Sequence, residues 1–110
     1  MIDAMKPPVI VDENGSVNVF DSIEAAERYL EPIDVENDEY IAYDSEGRLL
    51  KLIPVHPGIR IESAENEPNH KPELHRVLVE FLSHIEGDGD ELRDTTLSDL
   101  VTRALKYTTK

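Results

Sequence analysis

Residues 40–53, YIAYDSEGRLLKLI, decide the fold class because they predict a β-hairpin. The segments 39–43 and 48–53 have the composition of β-strands. Between them, Asp44 stands first and Gly47 last in a four-residue turn, which are the positions these residue types favour. A short turn makes its two strands antiparallel. We therefore predict an antiparallel sheet, in which the dense apolar run of residues 48–53 forms a central strand.

A second hairpin is predicted nearer the N-terminus. Residues 9–11 are β-branched and follow two prolines, which predicts the beginning of an edge strand. Asn14 and Gly15 suit a two-residue turn, because both central residues of that turn need a positive φ. Residues 17–20 alternate in polarity and predict the returning strand.

A helix is predicted after this hairpin, from residue 22 to residue 31. Asp21 and Glu24 form a capping pair at its start. Pro32 is expected to stop the helix, because proline cannot donate the hydrogen bond that continues it. Residues 33–39 are then expected to form an acidic connector.

The C-terminal half predicts one more strand and two helices. Residues 59–62 alternate as a strand. An apolar stripe with the spacing i, i+3, i+4, i+7, i+8, i+11 predicts a helix that ends at Gly87, where an acidic loop begins and continues to residue 90. Thr96 and Asp99 cap a second amphipathic helix that extends to about residue 107. The stripe of the first helix consists of Leu74, Val77, Leu78, Phe81, Leu82 and Ile85.

The element order is therefore β-β-α-β-β-β-α-α, which predicts a single α+β domain over residues 1–110. We expect an antiparallel sheet of about five strands, with the helices packed on one face. The apolar stripe of the long helix is expected to pack on Leu50, Leu52, Ile59 and Ile61 of the sheet.

The composition excludes several classes of function. The formal net charge of −13 opposes nucleic-acid binding, because phosphates would be repelled. The chain has no cysteine, which excludes disulfides and thiolate metal sites. It also has no apolar run near the roughly 18 residues that a membrane span needs, and its first residues lack the apolar core of a secretory signal.

No catalytic, cofactor-binding or metal-binding residue is predicted. The sequence contains no nucleophile elbow, no phosphate-binding loop and no H-E-x-x-H motif. His75 and His84 are nine residues apart and would lie on opposite sides of one helix. We therefore expect neither a cofactor nor a structural metal.

The negative charge is concentrated in the first half of the chain. Residues 1–47 hold 13 acids and two bases, whereas residues 48–110 hold 11 acids and nine bases. Such a patch either keeps a small protein in solution or complements a basic partner and steers its approach. The predicted partner-binding residues lie on the helix and connector of residues 22–39. They are Glu24, Glu27, Glu31, Asp34, Glu36, Asp38 and Glu39.

Two stretches resemble a known class of small acidic bacterial proteins. They are residues 19–32, VFDSIEAAERYLEP, and residues 40–50, YIAYDSEGRLL. Both are similar to immunity proteins of polymorphic toxin and contact-dependent inhibition systems. The resemblance implies a cytoplasmic, non-enzymatic protein that binds one toxin domain tightly.

Charge and resemblance together favour an inhibitor of a basic toxin domain, for example a nuclease, because a toxin that holds phosphates must itself be basic. An acidic adaptor or regulatory domain of another purpose is the alternative. A small enzyme is a third reading, which would need titratable groups buried in a concave pocket. The sequence predicts neither a nucleic-acid nor a membrane partner, and it leaves the oligomeric state open.

Overall fold

The computed structural model describes residues 5–87 and 89–109 of the chain. The five strands are β1 (Val9–Glu13), β2 (Ser16–Phe20), β3 (Tyr40–Tyr43), β4 (Leu49–Pro54) and β5 (Ile59–Ser63). The helices are α1 (Ile23–Tyr29), α2 (Pro32–Glu36), α3 (Lys71–Glu86), α4 (Gly89–Arg93) and α5 (Leu97–Ala104), and a 3-10 turn, Leu105–Tyr107, follows α5. No helix within the described residues is both long enough and apolar enough to cross a membrane.

The strands form one antiparallel sheet in the order β2-β1-β3-β4-β5, which confirms the predicted α+β class. Both predicted hairpins are present, and Asn14 and Gly15 have the positive φ angles that their turn requires. The prediction that β1 is an edge strand is wrong. Pro7 and Pro8 lie before the strand, so their missing N–H groups do not interrupt its hydrogen bonding. Strand β1 pairs with β2 on one side and β3 on the other, and its residues 9–11 are fully buried.

The helices lie on both faces of the sheet, so the expectation that one face carries them all is wrong. Side chains alternate along a strand, and β1 therefore points Ile10 to one face and Val9 and Val11 to the other. The Ile10 face packs against α3, α4 and α5. The Val9 face packs against α1 and includes Phe20. Because β1 is apolar on both faces, it needs a covering layer on each.

The partners of α3 differ from those predicted. Leu74, Leu78 and Leu82 are fully buried, but they pack in the same core as Ile10 and Tyr43. The sequence predicts that the α3 stripe packs on Leu50, Leu52, Ile59 and Ile61. These four side chains lie instead in the core on the other face of the sheet, beneath α1.

The helix boundaries in the first half also differ from the prediction. Ser22, not Asp21, caps α1, because the Ser22 hydroxyl accepts a hydrogen bond from the Ala25 amide at 3.1 Å. Pro32 does not only end a helix. It stands in the first turn of α2, where its missing N–H has no helical partner to lose. The expected connector therefore contains a helix.

The second half keeps its predicted caps but contains an additional helix. Gly87 ends α3 with φ +75, and the Thr96 hydroxyl caps α5 by accepting from the Asp99 amide, as predicted. The expected acidic loop is replaced in part by α4, which begins at Gly89 and buries Leu92. Asp88 of that loop lies outside the described residues.

The turn between β3 and β4 is held by a buried carboxylate. Asp44 is fully buried and accepts hydrogen bonds from the main-chain amides of Lys6, Glu46 and Arg48 and from the Arg48 guanidinium. Gly47 completes the turn, and its carbonyl accepts from the amide of His70 at the start of α3. The turn thus fixes α3 relative to the sheet.

Both outer strands of the sheet carry a hydrogen bond on their outer side. On β2, the Val19 carbonyl accepts from the Thr109 amide at 2.7 Å. On β5, the Ile61 amide donates to a carboxylate oxygen of Glu27 at 2.9 Å. The C-terminal segment and α1 therefore each pair one outward backbone group of an edge strand, where another strand could otherwise add.

Candidate partner-binding surface

Helix α2 and the turn after it bring the acidic residues of the first half together. Glu31 caps α2, and its carbonyl accepts from the amides of Asp34 and Val35. Asp38 then adopts φ +54, which reverses the chain. The reversal places the Glu39 amide 3.1 Å from the Asp34 carbonyl. Two acidic residues that are five apart in sequence thus become neighbours at the entrance to β3.

A third carboxylate reaches the same place from β1. Glu13 lies opposite Tyr40 in the β1–β3 ladder, next to Glu39. One carboxylate oxygen from each of Glu13, Asp34 and Glu39 lies within 4.8 Å of the others, and all three residues are half-buried. We refer to these three residues as the carboxylate cluster.

The electrostatics of the carboxylate cluster disfavour three simultaneous negative charges. The pKa of Glu39 is raised, first by a hydrogen bond shared with Asp34, then by burial and by the charges of Asp34 and Glu13. The Tyr40 hydroxyl donates to Asp34 Oδ2 at 3.0 Å. Burial, followed by this hydrogen bond and the charge of Asp34, raises the pKa of Tyr40, so its proton stays in place as a donor.

The ion pairs of the described residues lie outside the carboxylate cluster. Among residues 5–87 and 89–109, no ion pair includes a member of the carboxylate cluster. The ion pairs that form are Arg48 with Asp44 and Glu46, His56 with Glu36, Arg60 with Glu62, His70 with Glu65, Arg93 with Asp90, and Arg103 with Glu86. Within the part of the chain that the structure describes, the cluster is therefore a concentration of negative charge that forms no ion pair with a basic side chain.

The other predicted binding residues separate into different roles. Glu24 is exposed on α1, and Asp38 is exposed at the turn. Glu36 is exposed but is paired with His56 at 2.8 Å. The Glu27 carboxylate is committed to the β5 edge, and Glu31 lies beyond the end of α1. Glu24, Glu27 and Glu31 therefore do not form the continuous helical face that their spacing predicted.

An apolar cleft adjoins the carboxylate cluster. It has a volume of about 480 Å³ and follows the seam between β3 and β4, with Val35 of α2 along its side. Tyr40 belongs to both features, since it lines the cleft and its hydroxyl contacts Asp34. Acidic and apolar groups thus share one surface.

Sequence reasoning found Asp34 and Glu39 but missed Glu13. Glu13 stands next to a turn signal in a hairpin, and nothing local distinguishes it from a solvated acid. Its role follows from the pairing of β1 with β3, which are separated along the chain by β2, α1 and α2. Only the knowledge that these two strands are neighbours could have identified it.

The chain was compared with protein-family models, with curated proteins and with solved structures. None of them matches it. The surface is therefore interpreted from its own chemistry. Three converging carboxylates attract a cation, which can be a hard metal ion or the ammonium or guanidinium group of a basic side chain.

Proposed function

We propose that the protein is a non-enzymatic binding module that docks on a basic protein partner through the carboxylate cluster. The observation that carries this proposal is the convergence of Glu13, Asp34 and Glu39 within 4.8 Å, with no ion pair to a base among the described residues. A lysine or arginine of a partner would offset the mutual repulsion of the three acids. Binding would thus relieve an unfavourable feature of the free protein.

The distribution of charge supports the same proposal at longer range. Residues 1–47, which contain all three members of the carboxylate cluster, carry an excess of 11 acids over bases. Complementary potentials accelerate the encounter of two proteins, and this acceleration weakens as salt is added. A basic partner would therefore be captured quickly as well as held.

An immunity protein is the class of binding module that we favour. The resemblance of residues 19–32 and 40–50 to such proteins supports this reading, and a nuclease toxin has the basic character that the acidic surface requires. On this proposal the protein acts in the bacterial cytoplasm, where it covers the toxin's phosphate-binding surface. An acidic adaptor for another basic protein is the alternative, which the identity of the partner would distinguish.

The test uses the product of the gene adjacent to the one that encodes this chain. Association is measured by stopped-flow fluorescence for the wild type and for the triple variant Glu13→Gln, Asp34→Asn, Glu39→Gln. We expect the variant to associate at least about tenfold more slowly and with a weaker salt dependence, because steering charge is lost. Its melting temperature should not fall, because the substitutions remove repulsion.

A matched control removes the same charge elsewhere. The variant Glu67→Gln, Glu80→Gln, Asp94→Asn changes three exposed acids outside the cluster. It should slow association by less than about threefold. Equal effects of the two triple variants, or no effect of either, would contradict a role for the cluster in docking.

A further inference from the structure

The cleft beside the carboxylate cluster exists because β3 and β4 separate. Their ladder consists of the pairs Ala42–Leu50 and Tyr43–Leu49 and does not continue toward Tyr40 and Leu52. Strand β3 remains paired with β1 through Tyr40, whereas Leu52 remains paired with β5. Each strand thus follows its outer neighbour, and the seam between them opens.

The alternation of the strands shows which backbone groups face the open seam. In an antiparallel pair, residues with inward hydrogen bonds alternate with residues that point away. The Asp44 amide bonds to the Arg48 carbonyl, so Ala42 and Leu50 form the next hydrogen-bonded pair. By the same alternation, the peptide groups of Tyr40 and Leu52 point into the seam. The cleft therefore offers main-chain groups as well as apolar walls.

The walls of the cleft are apolar and accessible. Val35, Tyr40, Ile41, Leu49 and Leu52 line it, and Ile41 is 50% exposed. An isoleucine at this exposure in a strand leaves apolar area in contact with water, which a partner side chain could cover.

The charge around the opening selects the occupant. Asp38 lines the cleft, and Tyr40 connects the cleft to Asp34 of the carboxylate cluster. The basic side chain that lines the cleft, His70, is held by Glu65 at 2.8 Å. A segment that enters the cleft therefore meets apolar walls and negative charge together.

We propose that the β3–β4 cleft takes an extended basic segment of the partner protein, with an apolar side chain in the cleft and a neighbouring lysine or arginine against the carboxylate cluster. This inference deepens the proposed function and rests on it. Main-chain groups in the seam would align the segment, as in recognition by strand addition. The alternation of apolar and basic residues in the segment would match the arrangement of cleft and cluster.

Two synthetic peptides test the proposal by isothermal titration calorimetry. One alternates lysine and leucine over seven residues, and the other replaces each leucine by glycine and keeps the charge. We expect the wild-type protein to bind the leucine peptide at least about tenfold more tightly, because burial of one leucine side chain supplies that factor. Equal affinities, or no binding of either peptide, would overturn the proposal.

Paired variants locate the binding site. Ile41→Ser should reduce the preference for the leucine peptide to less than about threefold, since it removes the exposed apolar wall. Ile85→Ser is the matched control, because Ile85 is 47% exposed but lies on α3 away from the cleft lining. Equal effects of Ile41→Ser and Ile85→Ser would overturn the location. Glu39→Gln should weaken both peptides, and Glu67→Gln, which changes an exposed acid outside the cluster, should weaken neither.

Two further outcomes separate the possible failures. If Glu39→Gln weakens both peptides equally and Ile41→Ser has no effect, the cluster binds basic groups but the cleft takes no segment, so this inference fails while the proposed function stands. A different result would be that calcium or magnesium chloride alone binds with one-to-one stoichiometry and displaces the peptides. If Glu39→Gln also abolishes this metal binding, the cluster is a metal site and both proposals fail.

Discussion

Gly47 and Gly15 have almost the same backbone angle but different surroundings. Their φ values are +96 and +95, a region that residues with a Cβ rarely adopt. A Cβ on Gly15 would meet nothing within 4 Å, whereas one on Gly47 would lie 2.8 Å from the Cα of Lys71. Substitutions at the two glycines therefore distinguish the free-energy cost of the backbone angle from the cost of a Cβ close to Lys71.

We expect Gly15→Ala to lower the free energy of unfolding by about 1–2 kcal/mol, which is the cost of a positive φ. Gly47→Ala should lower it by about 2–5 kcal/mol, because the first residue of α3 must also move away from the turn. Urea denaturation of both variants measures the difference. Equal losses would show that the contact between turn and helix is not tight.

At the scale of the elements, the features that depend on local sequence could be predicted, whereas those that depend on long-range packing could not. The Asn14–Gly15 turn, the Thr96 cap and the end of α3 at Gly87 follow from short local patterns, and all three were predicted. The face on which a helix packs depends on the order of strands in the sheet. That order places β1 in the interior, so the partners of α3 could not be derived from its own periodicity.

The candidate partner-binding surface shows the same difference between locally and distantly determined features. Asp34 and Glu39 were predicted because they belong to a local run of acids. Glu13 and the cleft depend on which strands become neighbours and where their ladder ends, and a single sequence does not encode these facts in any short pattern. The structural commitment of Glu27 was missed because it depends on the position of β5 beside α1.

Helix α3 offers a test of the core within one element. Leu78 is fully buried, whereas Ile85 at the end of the same apolar stripe is half-exposed. Leu78→Ala should lower the free energy of unfolding by about 2–5 kcal/mol, because it leaves a cavity in the core. Ile85→Ala should lower it by less than about 1 kcal/mol. Thermal or urea unfolding measures both values, and similar losses would contradict the burial pattern of α3.

At the scale of the whole molecule, the net charge of −13 makes stability depend on pH through the acids that are closest together. The raised pKa of Glu39 means that, between its ordinary value of 4.5 and its folded value, the folded protein binds more protons than the unfolded chain. The contribution of Glu39 to stability therefore decreases as the pH rises through that interval. Above it, the charged Glu39 opposes folding.

We predict that Glu39→Gln is more stable than the wild type at pH 7 and that the advantage disappears below about pH 4, where both side chains are neutral. Added salt at pH 7 should also reduce the advantage, because it screens the repulsion. Melting temperatures between pH 3.5 and pH 8 provide the measurement, with Glu24→Gln as an exposed control. A melting curve for Glu39→Gln that follows the wild type at every pH would contradict the close approach of the three carboxylates.

The hydrogen bonds on the outer sides of β2 and β5 also affect how the protein behaves when it is crowded. A sheet adds strands from other molecules where amides and carbonyls project from a flat edge, and fibrous aggregates grow in this way. Here the Thr109 amide donates a hydrogen bond to the Val19 carbonyl, and Glu27 places a carboxylate against the edge of β5. A strand from a second molecule would have to displace the chain's own C-terminal segment at one edge and approach a carboxylate at the other. Association of the sheets of two molecules edge to edge is therefore opposed at both β2 and β5.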